Sequence, residues 1–227
     1  YNMTTGEWRS LAPMLIGVRG AAGAFLDGKI YIFTGVTSTR VQHTQIYDIT
    51  ANAWSLGTNA PEGIWEAKAA VGGGGLIYVM GGERNSSSFS DVVNVYNPFG
   101  DSWSLGTPLT VGTKAGAAIS SNGYYPVYIG GLTSTGPTSA VEQFYPYSST
   151  WNPLLPMPAT AVGLAATIGA DGFWYVFGGG TSDSNVGAGF NATYYYNPFG
   201  SVWGTGPNMT TAARYLGAAS STDGRIL

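Results

Sequence analysis

Leu76-Ile77-Tyr78-Val79-Met80-Gly81-Gly82 is a β-branched and aromatic run closed by glycine, the composition of a buried strand that ends in a tight bend. It recurs as Lys29-Ile30-Tyr31-Ile32-Phe33-Thr34-Gly35, as Val127-Tyr128-Ile129-Gly130-Gly131 and as Trp174-Tyr175-Val176-Phe177-Gly178-Gly179. A turn pair precedes each copy: Asp27-Gly28, Gly74-Gly75, Asn122-Gly123 and Asp171-Gly172. Each run is therefore the second strand of a β-hairpin. Four copies at near-constant spacing mark a repeat protein.

Outward from that strand the rest of the repeat falls into place. A Tyr-to-Trp phrase follows it, as Tyr47 to Trp54, Tyr96 to Trp103, Tyr145 to Trp151 and Tyr196 to Trp203, and the chain opens on another, Tyr1 to Trp8. Proline-containing links come next: Pro13-Met14, Pro61, Pro108, Pro156-Met157 and Pro207. Small-residue strands such as Ala115-Gly116-Ala117-Ala118-Ile119 then lead back to the hairpin turn. Each unit thus holds four short strands, a to d, in roughly 50 residues, which describes an all-β fold, a β-propeller of four-stranded antiparallel blades. The alanines and glycines of strand a suit the innermost position, and the tryptophans are expected to pack between blades.

The order Pro-Met, Arg19, small residues, Tyr-Val-x-Gly-Gly, Tyr-Asn-Pro and Trp resembles the kelch repeat across the whole chain. Two departures stand out: Thr34-Gly35 replaces a Gly-Gly, and the link at Pro61 lacks its methionine. Residues 1–227 read as one kelch-type propeller domain that begins at the end of a strand c and stops inside a strand b. The start at Tyr1 reads as a processed product or an excised segment. About five blades' worth of chain is present. A half-missing closing strand would leave an open edge, so part of a larger propeller is the expectation, with a five-bladed ring as its rival.

Composition narrows the function. Cysteine is absent and His43 is the single histidine, which excludes disulfides, thiolate metal sites and multi-histidine centres. Copper-radical oxidase chemistry, which the resemblance brings to mind, is thereby excluded within the segment. No cofactor or metal is expected. A formal charge of −3 gives no basic footprint for nucleic acid, and no apolar run reaches the length of a membrane span. Charged residues are only 9% of the chain, against about 25% in an ordinary domain.

Antiparallel alternation places the b–c loops and d–a links on one face. The links carry Arg19, Lys68, Lys114 and Arg214 just before strand a, with Gly163 near the corresponding place in the remaining unit. Such cations around a channel mouth would favour carboxylates, and the kelch resemblance implies that arginines here bind acidic peptide motifs. The b–c loops, Val36 to Gln42, Glu83 to Ser90, Leu132 to Ser139 and Thr181 to Asn191, add Arg40 and Arg84 as ligand-binding candidates. His43, Glu62, Glu66, Asp91 and Glu142 read as solvated surface groups, and no catalytic set assembles from them. Four sequons, at Asn2, Asn85, Asn191 and Asn208, are glycan acceptors in a secretory setting.

The reading that needs the fewest assumptions is a non-catalytic extracellular or cell-surface binding module. Its partner is a protein or an anionic or carbohydrate ligand at the b–c loop face. A structural subunit of a surface layer, stalk or fibre, with self-assembly, is the first alternative. A kelch-type sugar epimerase or mutarotase is the second.

Overall fold

The computed structural model describes residues 1–84, 89–183, 189–221 and 223–227. Its first blade is β1 (Ala22–Leu26), β2 (Lys29–Phe33), β3 (Thr44–Asp48) and β4 (Ala53–Gly57). The second is β5 (Lys68–Gly72), β6 (Leu76–Met80), β7 (Val93–Asn97) and β8 (Ser102–Leu105). The third is β10 (Ala117–Ser121), β11 (Tyr125–Thr133), β12 (Gly136–Tyr145) and β13 (Thr150–Pro153), with the short β9 (Thr113–Lys114) added on β11. The fourth is β14 (Ala165–Ile168), β15 (Trp174–Phe177), β16 (Thr193–Asn197) and β17 (Val202–Thr205). Each is an antiparallel meander in sequence order, so the fold is the expected kelch-type propeller with four complete blades. Beyond these, Asn2 bridges Glu7 and Ser220 bridges Ile226, two small hairpins at the ends of the chain.

One prediction about strand boundaries fails. The loop expected over Leu132 to Ser139 is largely a continued hairpin, because β11 runs on to Thr133 and β12 starts at Gly136. Threonine and serine read as loop residues there, yet threonine fits an extended strand well.

The apolar side chains fill the spaces between blades, in three clusters. One joins the first blade to the second around Phe33, Ile64, Ile77 and Tyr96. The next lies around Met80, Val93, Tyr128 and Trp151, and the third around Ile129, Val141, Leu164 and Trp174. Directional bonds reinforce each boundary. The indole N–H of Trp54, Trp103, Trp151 and Trp203 donates to the carbonyls of Ala12, Thr58, Thr107 and Leu155, each in the link before its own blade. Trp8 departs from the expected packing and is 85% exposed.

A second bond at each boundary explains the glycine-ended strands. The N–H groups of Gly35, Gly82, Gly131 and Gly179 donate to Ile64, Thr113, Ala161 and Ala213 of the following link. At Gly82 φ is +90°, and an added Cβ would stand 2.5 Å from Ile64 Cγ2 and 2.8 Å from Trp65 O. Only glycine permits that approach.

The two sequence departures turn out to be one feature. Gly81 N donates to Val92 O while Leu109 N donates to Asp91 O; Gly178 and Met209 make the same pair of bonds to Ala192 and Asn191; and Thr34 and Ala60 make it to His43 and Gln42. Ala60 therefore holds the place of the missing methionine, in the blade whose first glycine is replaced by Thr34. In the fourth blade a Cβ at Gly178 would lie 3.1 Å from Met209 Cε, so a large residue at one place requires a small one at the other. Thr34 keeps φ at +57° with its hydroxyl buried and unpartnered. We expect Ala60→Met to destabilise the protein, and Ala60→Met combined with Thr34→Gly to recover the loss. A double-mutant cycle by denaturant unfolding should give a favourable coupling of about 1–3 kcal/mol, and additive effects would contradict the pairing.

Candidate functional site

The mouth of the channel is organised by a belt of backbone hydrogen bonds. Glu66 N donates to Gly20 O, Ala115 N to Glu66 O, Gly163 N to Ala115 O and Tyr215 N to Gly163 O, at 2.6–3.2 Å. All five residues are left-handed, with φ between +53° and +68°. Each belongs to a different unit, so the belt laces five successive units together at the head of strand a.

This belt sets the register of the side chains around the mouth, and it revises the sequence reading. The residue before each belt position is Arg19, Trp65, Lys114, Val162 or Arg214. Lys68 belongs elsewhere. It is the first residue of β5, facing Met80 of β6, three places beyond Trp65. Trp65 therefore stands where the Lys68 cation was expected, and Gly163 is itself a belt residue, with Val162 in the place that was read as Gly163.

Nor is the mouth a ring of unopposed cations. Lys114 is 7% exposed; its Nζ donates to Glu83 Oε2 at 2.6 Å and lies 2.9 Å from Asp183 Oδ2. It also stands 5.5 Å from the Trp65 ring and 5.4 Å from Phe89. Burial opposes its charge, but the hydrogen bonds that Lys114 donates to Glu83 and Asp183 outweigh burial and hold its pKa above the ordinary lysine value. Glu83 also binds Arg40, through Nη2 to Oε1 at 2.6 Å and Nε to its carbonyl at 3.1 Å. Removing one member of such a buried cluster leaves another charge uncompensated, at a cost of about 3–5 kcal/mol. Arg84 lies 2.7 Å from Glu62 Oε1 and donates through Nε to Ser90 Oγ. Arg214 reaches the Ser182 carbonyl at 3.3 Å. Arg19 is exposed, and its guanidinium has no partner among the described residues.

Glu66 was read as a solvated charge, and the structure buries it, at 6% exposure. The Tyr215 hydroxyl stands between the Glu66 carboxyl and the Asp183 carbonyl oxygen, 3.4 Å from the latter. Glu66 Oε2 is left buried and unpartnered. Burial raises the Glu66 pKa, Lys114 and Lys68 pull it back and Asp183 adds to the rise. Tyr215 is raised by burial and by the Glu66 charge. Glu142 is buried as well, accepting from Thr110 N and Oγ1. A clue to Glu66 was present in the sequence: it fills a slot that is Gly20, Ala115 or Gly163 in three other units. His43 lines a polar crevice with Arg40, Glu62 and Arg84. Among the described residues no cluster of His, Asp and Glu is suited to a metal ion.

The sequons divide. Asn2, Asn191 and Asn208 are exposed, with Asn2 Oδ1 accepting from Thr4 N and Thr5 N. Asn191 and Asn208 are neighbours, since Met209 N donates to Asn191 O. Asn85 lies outside the described residues, as do parts of the loops expected over Glu83 to Ser90 and Thr181 to Asn191.

With the blade geometry in view, comparison with known proteins is informative. The family model of the Kelch motif matches residues 67–110, from the link through the second blade into the next link. This chain is built of kelch repeats. Kelch-like protein 25 of Xenopus tropicalis is 33% identical over 92 residues, 40% of this chain and 15% of that protein. Kelch-like protein 35 of Mus musculus is 28% identical over 189 residues, 82% of this chain. The kelch chain thus spans 15% and 30% of the length of these two curated relatives. The solved structure of YjhT superposes with a TM-score of 0.79 at 19% identity, covering 93% of this chain and 77% of that one. At that identity the likeness concerns the fold.

The raised Glu66 pKa has a signed consequence. The folded protein binds this proton more tightly than the unfolded chain, so the contribution is complete at low pH and is lost as pH rises through the raised pKa. Glu66→Gln removes the titration. Relative to the parent, the variant should gain stability progressively as pH rises above the ordinary value of 4.5. Denaturant midpoints measured from pH 4 to 8 check this, and a constant difference would refute it.

Proposed function

We propose that this kelch propeller is a non-catalytic protein-interaction module that receives an acidic segment of its partner at the channel mouth. The supporting observation is the division of labour among the cations. Six of the nine basic residues, Arg19, Arg40, Lys68, Arg84, Lys114 and Arg214, belong to this end of the blades. Lys114, Arg40 and Arg84 are engaged with carboxylates. Arg19 and Arg214 remain as guanidiniums with donors to spare, at the two ends of the belt. Arginine's planar fork suits bidentate capture of a carboxylate.

The binding test uses an oligoglutamate peptide as probe. The parent should bind it with an affinity that falls as salt rises. Arg19→Ala with Arg214→Ala should weaken it about tenfold or more, as the loss of two charge-assisted contacts implies. Phe99→Ser, an exposed c–d turn position remote from the mouth, serves as the control. Unchanged affinity in the arginine variant would remove the site assignment.

An extracellular or cell-surface location belongs to the same reading. The exposed Asn2, Asn191 and Asn208 sequons support it, together with a surface of hydroxyl and amide groups rather than ions. Native protein should lose mass on enzymatic glycan removal, at peptides containing these asparagines; no change would contradict the location. The adjacency of Asn191 and Asn208 confines their glycans to one sector of the rim, leaving Arg19 open.

A further inference from the structure

The third blade departs from its neighbours at one buried position. Glu142 lies two residues before Phe144, the ring that pairs with Trp151 across β12 and β13. Gln45, Asn94 and Tyr194 hold the matching place before Tyr47, Tyr96 and Tyr196. Only the third blade puts a carboxyl there. In the first blade the Gln45 amide closes on the link: Oε1 accepts from Ile16 N and Nε2 donates to Ile16 O, both at 2.9 Å. A carboxylate has no N–H to give, and Glu142 lines a cavity of about 220 Å³.

The polar groups of that cavity ask for a hydrogen-bond donor. Val111 and Thr135 stand on its exposed rim, and Tyr128, Thr133 and Glu142 form a buried floor. Glu142 Oε2 accepts from Thr110 N and Oγ1, while Oε1 has no partner among the described residues. The hydroxyl protons of Thr110, Thr113 and Thr133 are already given to Glu142, Leu132 O and Gly136 O. What these threonines still offer the cavity is lone pairs. No Lys or Arg lines it, and none pairs with Glu142 among the described residues. A carboxylate only 8% exposed, with no cation beside it, is a costly arrangement. A ligand that donates hydrogen bonds and carries positive charge would offset that cost.

We propose that this cavity binds the primary ammonium group of a small alkylamine, with Glu142 as its counter-ion. An ammonium group has three donors and no acceptor, which matches Glu142 Oε1 and the threonine lone pairs. Val111 and Pro137 supply an apolar wall for the alkyl stem. The volume falls below the roughly 300–1,000 Å³ of a drug-sized site, so the stem is short. Burial raises the Glu142 pKa and its bonds from Thr110 lower it, with no cation contributing. The other titratable group lining the cavity is Tyr128, the partner of Glu142 across β11 and β12. Arg19 and Arg214 take no part in the lining, so this site is separate from the one proposed for an acidic segment.

The test titrates n-butylammonium chloride into the full chain near neutral pH and follows the heat. Tetramethylammonium, charged but without N–H, and n-butanol, uncharged, serve as comparison probes. The parent should bind n-butylammonium at one saturable site and bind the other two far more weakly. Glu142→Gln, checked for an unchanged circular dichroism spectrum, should weaken n-butylammonium about tenfold or more, as loss of a charge-assisted hydrogen bond implies. Val111→Trp, at a rim position that is 54% exposed, should weaken it too by filling the entrance without disturbing the core. Nα-acetyl-lysine N-methylamide distinguishes the source of the amine. Equal affinity would assign the site to a partner's lysine and weaker binding to a free amine, and both results support an ammonium site. Absence of saturable n-butylammonium binding, equal binding of either comparison probe, or unchanged affinity in Glu142→Gln would each overturn the proposal.

Discussion

The inner edge of a propeller blade poses a problem that the rest of this structure follows from. Strand a has a neighbour on one side only, so its other edge would present unpaired peptide groups to the channel. Here the link turns sharply at the head of the strand, and five left-handed residues pass hydrogen bonds from unit to unit. That turn requires a backbone conformation that a Cβ resists, which explains Gly20 and Gly163, while Ala115, Glu66 and Tyr215 are held in it by the belt. It also delivers the residue before it to the rim and the residue itself to the axis. The functional candidates are therefore by-products of how the edge is finished: Arg19, Lys114 and Arg214 on the rim, Glu66 and Tyr215 on the axis.

Much of this was visible in the chain before any coordinates. The glycine-ended strands and the Tyr-to-Trp phrases carry the blade architecture, because each has a local steric reason to be where it is. The register of the links was not visible. Lys68 follows Pro61 at nearly the spacing at which Lys114 follows Pro108, but link lengths differ, and only hydrogen bonds to the neighbouring unit show that Trp65 is the equivalent of Lys114. Burial was equally hidden at Glu66, Glu83 and Glu142, since a carboxylate in a loop-like stretch reads as solvated whether or not a neighbouring blade closes over it. Thr34 and Ala60 looked like two unrelated lapses from the repeat. They belong to one pair of bonds, Thr34 N to His43 O and Ala60 N to Gln42 O, which links residues 26 positions apart in the sequence.

The ion cluster shows how a chain with so few charges uses them. Arg40 comes from the loop of the first blade, Glu83 from that of the second and Lys114 from the link into the third. Three consecutive units are thereby tied on one face by a single carboxylate with both oxygens occupied. On the opposite face the bonds are more local: Tyr96 to Asp101, Tyr47 to Asn52 and Tyr175 to Asp171.

The apolar clusters have a consequence for how the molecule comes apart. Each is shared by two neighbouring blades, and none runs through the whole structure. Cohesion therefore passes along the chain link by link, as in a row of magnets rather than a single droplet. Opening should therefore travel one boundary at a time, and the Glu83 cluster and the belt, which each connect more than two units, are the places where that travel would stall.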